Sequence, residues 1–100
     1  GPLGFDYSPP VLTVTPAELR IVQAQPTVVN WPAAEDALSG VSGYRIYLGP
    51  DPAGESEWFV TEPTLTLPTL APGVYVLRVK PIDNAGNIGV WQTVMTIRVE

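Results

Sequence analysis

A chain of 100 residues with no cysteine, no histidine and a formal net charge of −5 fits one domain whose core closes without a disulfide or a zinc site. Hydrophobic residues make up 45 % and charged ones 15 %, which excludes a disordered chain; no apolar run reaches the ~20 residues of a membrane span, so no membrane insertion is expected. Ten acidic residues against five basic ones argue against nucleic acid or an anionic membrane as partner.

Gly1-Pro2-Leu3-Gly4 reads as the remnant of a cleaved affinity tag and is set aside. Residues 5–18 are expected to form a linker and first edge strand and residues 19–100 the rest of the fold, the whole domain spanning about 6–100. Asp6-Tyr7-Ser8-Pro9-Pro10 is a stiff lead into Val11-Leu12-Thr13-Val14, an edge strand stopped by Thr15-Pro16. Leu19 to Ala24 makes a second edge segment, with Leu19 and Ile21 facing one way, and Pro26 breaks it. Thr27-Val28-Val29-Asn30-Trp31 alternates, which turns Thr27, Val29 and Trp31 inward. A loop rich in turn formers runs from Pro32 to Gly43, with at most one helical turn over residues 33–38.

Tyr44 to Leu48 alternates again, with Tyr44, Ile46 and Leu48 inward, and Gly49 to Gly54 is a turn. Trp58 to Val60 and Thr64 to Leu67 are short strands, Val74 to Ile82 is the longest, and Thr93 to Val99 closes the domain. The pattern predicts an all-β domain, an antiparallel sandwich of about seven strands.

Leu70-Ala71-Pro72-Gly73-Val74-Tyr75 resembles the tyrosine corner of sandwich domains, in which the tyrosine hydroxyl bonds back to the backbone just upstream. The order Trp31, Tyr44-Arg45-Ile46, Leu70-x-Pro72-Gly73-x-Tyr75 and Asp83-Asn84-Ala85-Gly86-Asn87 resembles the fibronectin type III family. The likeness is nearest to bacterial members, which often carry an Asp-x-x-Ser-Gly-Val-x-Gly-Tyr stretch, here Asp36 to Tyr44. The resemblance implies an immunoglobulin-like sandwich, with Trp31 between the sheets and Tyr75 at the corner. The Arg-Gly-Asp tripeptide that some animal members use for integrin adhesion is absent.

Without cysteine or histidine, Cys–His and Ser–His catalysis and the zinc sites built on those side chains are excluded, and no phosphate-binding Gly-x-x-x-x-Gly-Lys loop occurs. A carboxylate pair drawn from Glu35, Asp36, Asp51, Glu55, Glu57, Glu62 and Asp83 would fall on loops and strand ends, in a domain too small to wall off a cleft. The only lysine, Lys80, faces outward if Tyr75, Leu77, Val79 and Pro81 face inward, which argues against a buried isopeptide cross-link unless a bulge shifts the register.

Three binding expectations remain. In the fibronectin-like topology the Glu35-Asp36 loop and the Asp83 to Asn87 loop share one end, where Asp36, Asp83, Asn84 and Asn87 would offer calcium hard oxygens. The same residues are also ordinary turn formers. Of the aromatics Tyr47, Trp58, Phe59 and Trp91, a Tyr47–Trp58 patch would make a face for polysaccharide. The uncharged run Val11 to Val14 would offer an edge to a protein partner. The expected role is a non-catalytic spacer module of a secreted or cell-surface bacterial protein, a monomer by itself that orients neighbouring domains. The alternatives are a binding module for polysaccharide or protein, or an accessory domain of a secreted enzyme.

Overall fold

The computed structural model describes residues 8–22 and 27–100. The tag-like tetrapeptide, the Asp6-Tyr7 part of the linker, Ala24 and the Pro26 break lie outside these residues. The described chain is all-β, with seven strands and no helix: β1 (Ala17–Ile21), β2 (Val28–Asn30), β3 (Val41–Gly49), β4 (Trp58–Val60), β5 (Thr64–Thr66), β6 (Gly73–Asp83) and β7 (Gln92–Val99). They form a five-stranded sheet in the order β1-β7-β6-β3-β4 and a two-stranded sheet of β2 and β5.

Alternation sets the faces. Tyr44, Ile46, Leu77, Val79, Pro81 and Ile97 are buried on one side of the large sheet, and Leu19, Ile21 and Met95 pack against them. Val29 and Leu65 of the small sheet join the same hydrophobic cluster, with Trp31, Leu67, Ala34 and Leu12 from the connections. Trp31 meets Tyr44 edge to face, ring centroids 5.5 Å apart and planes 85° apart, a favoured arrangement for two aromatic quadrupoles. The Tyr44 hydroxyl accepts the Ala34 amide at 2.9 Å, so this fully buried ring is also bonded at its polar tip.

Three expectations need correction. The sheets are not wholly antiparallel, because β1 pairs with β7 in parallel register, Ala17 beside Met95 and Ile21 beside Val99. The direction follows from the route: the chain crosses the whole domain before β7 returns, so no tight turn dictates an antiparallel pair. Val11 to Val14 is not a strand. It makes one bridge, the Val11 amide donating to the Glu35 carbonyl at 2.9 Å and the Glu35 amide to the Val11 carbonyl at 2.8 Å, while Leu12 enters the core. Pro9, Pro10 and Pro16 flank the run and carry no N–H to extend a ladder. The uncharged edge expected there is therefore missing, and β1 and β4 are the edges of the large sheet. Finally, β3 begins at Val41, inside the expected loop, where a bulge between Val41 and Gly43 shifts its register against β6.

Candidate functional site

The two loops singled out for calcium do meet. Asn84 donates its backbone amide to the Gly40 carbonyl at 2.9 Å and its side-chain amide to the Ser39 carbonyl at 2.7 Å. Gly40 lies at φ 76°, a conformation that favours glycine. Across that junction the carboxylates turn back onto their own loops. Asp36 Oδ1 accepts the amides of Leu38 and Ser39 at 3.2 and 3.1 Å. Buried Asp83 takes the amides of Ala85 and Asn87 on Oδ1 at 3.0 and 2.8 Å, and the Asn87 side-chain amide on Oδ2 at 3.0 Å. The backbone closes the same turn through Asp83 N–H to Asn87 O at 3.0 Å and Gly86 N–H to Asp83 O at 3.1 Å, with Gly86 at φ 87°.

Asp36 Oδ1 and both Asp83 oxygens face N–H donors, Asp36 Oδ2 is buried without a partner, and among the described residues no three His, Cys, Asp or Glu side chains gather as metal ligands. The geometry fits the turn-forming role of Asp36 and Asp83. Thermal melts in millimolar calcium and in excess chelator should therefore coincide. A calcium-dependent rise of roughly ten degrees or more, lost in Asp36→Ala, would show that the loops open to take the ion.

The expected aromatic patch is divided between two faces. The β3–β4 register sets Trp58 across from Ile46, which faces the core, and Phe59 across from Arg45, which faces out. Tyr47, one residue from Ile46, also faces out, so Tyr47 and Trp58 share no surface. Nor does Tyr47 stand free. Its hydroxyl accepts the Asp51 amide at 3.0 Å, and the turn folds so closely over its ring that a side chain at Gly54 would overlap it. Phe59 lies over Gly43 in the same way and remains 43 % exposed.

At the corner, Tyr75 donates its hydroxyl proton to the Ala71 carbonyl at 2.7 Å; Leu70 packs against the core, and Pro72 and Gly73 are exposed at the turn. Lys80 lies on the outer face with its ammonium 5.1 Å from the centre of the Trp91 ring, and Arg78 approaches the same ring at 5.8 Å. Arg78 also donates to the Gly54 carbonyl at 2.6 Å, and Arg45 pairs with Glu57. Reading each strand alone missed this cluster: Arg78 and Lys80 share β6, but the β3–β6 pairing adds Arg45 and the β6–β7 pairing brings Trp91. No cavity forms among the described residues. Neither a scan against protein-family models nor a search of curated proteins gives a match to this chain.

Proposed function

We propose that the chain is a non-catalytic structural module of the fibronectin type III kind, a β-sandwich that spaces and orients neighbouring domains in a secreted or cell-surface protein. The observation that carries this reading is the parallel pairing of β1 with β7. Tension applied through the two chain ends draws β1 toward its N-terminus and β7 toward its C-terminus. In a parallel pair these directions are opposed along the strand axis, so the strands slide and all their hydrogen bonds are loaded together. Terminal strands in antiparallel register would open one bond at a time. The seam continues past the strands, with the Glu100 amide bonded to the Ile21 carbonyl at 3.0 Å and Arg20 paired with Glu100 at 3.2 Å.

The remaining support is chemical. The chain has no histidine or cysteine, and most polar groups singled out as candidate ligands are bonded within their own loops. In force spectroscopy on a tandem polymer of the domain, each unit should unfold in one step at high force. Leu19→Pro, which breaks the middle of β1, should lower that force at least twofold, a rough measure of losing a strand's ladder bonds. Equal rupture forces for the two proteins would remove the seam as a mechanical element and the reading with it.

A further inference from the structure

All five basic residues of this acidic chain project from one surface. Leu19, Ile46, Leu77, Val79 and Ile97 line the core face of the large sheet, so Arg20, Arg45, Arg78, Lys80 and Arg98, each one residue from a core position, occupy the outer face. The register sets like charges directly opposite one another, Arg45 beside Lys80 and Arg20 beside Arg98, an arrangement that costs stability. At the β1 end Glu100 offsets the repulsion. In the middle, Glu57 answers Arg45, but Arg78 and Lys80 have only the Trp91 ring and a backbone carbonyl, with no carboxylate partner among the described residues. Resting against Trp91 holds these two cations in place before any ligand arrives. Phe59, half exposed, sits beside Arg45 on the same face.

We propose that this face binds an acidic polysaccharide, its carboxylates meeting Arg45, Lys80 and Arg78 and a sugar ring lying on Phe59. The centre of the face is cationic where a stable protein interface would be apolar; of the exposed large hydrophobic residues, Phe59 and Val74 lie on it, and Val74 sits away at the Arg98 end. The face is open, which suits a polymer laid across three strands, and the anionic remainder of the domain would repel the denser charge of a duplex nucleic acid more than one carboxylate per sugar. This role goes beyond spacing and does not depend on it.

The test is titration calorimetry of the 100-residue chain with polygalacturonate, with dextran as a neutral polymer and poly-glutamate as an acidic polypeptide. Binding to polygalacturonate is expected at low salt, weakening as salt screens the charges, with none to dextran. Arg45→Gln with Lys80→Gln should weaken it roughly five- to tenfold while moving the thermal midpoint little, because the relieved like-charge pair offsets the lost Glu57 pairing and Trp91 contact. Phe59→Ala should weaken polygalacturonate binding and leave any poly-glutamate binding unchanged. No heat with polygalacturonate, or equal binding by the double variant, would overturn the proposal. Poly-glutamate binding as tightly, with Phe59→Ala without effect on either polymer, would overturn it in favour of an acidic protein partner.

Discussion

Replacing Tyr44 by alanine is expected to lower stability by about 3–5 kcal/mol, because a large buried ring leaves a cavity that its neighbours fill only in part. Tyr44 is 2 % exposed, packs edge-on to Trp31 and sits among Ile46, Leu77 and Val79 in the cluster that joins the two sheets. In a domain of this size the loss corresponds to a fall of roughly 15–30 °C in the midpoint of thermal unfolding. Tyr44→Phe separates the ring from its hydroxyl. It keeps the packing but strands the Ala34 amide, which the hydroxyl otherwise satisfies at 2.9 Å in a buried setting. A buried donor left without a partner costs about 1–3 kcal/mol, so the phenylalanine variant should melt between the parent and the alanine variant. Equal melting of Tyr44→Phe and the parent would mean that this hydrogen bond adds nothing net to the fold.

Asp83→Ala should come next, with an expected loss of about 2–3 kcal/mol and a fall of roughly 10–20 °C. The carboxylate is 2 % exposed, and three donors of the turn end on it: the amides of Ala85 and Asn87 and the side chain of Asn87. Removing it leaves these three part-buried donors without their acceptor and empties the buried space beneath the turn. Asp83→Asn retains an acceptor for the backbone amides but sets one amide group against another at Asn87, so an intermediate loss of about 1 kcal/mol is expected. Chemical denaturation gives the magnitudes, and hydrogen exchange at Ala85 and Asn87 shows whether the turn itself has loosened. Unchanged exchange at both amides would mean that the carboxylate is not what closes this turn.

The strands that alternate cleanly could be located from the sequence, because a sheet with one buried face repeats every two residues. Tyr44, Ile46 and Leu48 in β3 and Leu77, Val79 and Pro81 in β6 could hardly face otherwise. Pairing was harder to read. Whether β1 lies parallel or antiparallel to β7 depends on a path through the whole domain, and nothing within Ala17 to Ile21 encodes it. Val11 to Val14 has strand-like composition, yet its flanking prolines leave it a single bridge, so composition outran hydrogen-bonding capacity there. The Tyr47–Trp58 patch failed for a third reason. It required the register between β3 and β4, which the turn after Gly49 sets, and a slip of one residue moves a side chain to the opposite face. The loop end was the more legible candidate site, since Asp, Asn and Gly act on neighbours two to four residues away. Lys80 could be placed outward from alternation alone, but the outer cationic face was hidden because Arg20, Arg45 and Arg98 join it from other strands through topology.

The pairing of the first strand with the last also fixes an order of assembly. Ala17 finds its partner at Met95, so during synthesis β1 leaves the ribosome long before β7 exists to receive it. Until then Leu19 and Ile21 lack the strand that would cover their backbone, and an unpaired edge of this kind can capture a strand from another chain. The alternating Glu18 and Arg20 place charge on the other face of that waiting segment, a feature that discourages such capture. A nascent chain halted before β7 would therefore hold the domain open, and closure would come as a single late event when the C-terminal strand slides in between β1 and β6.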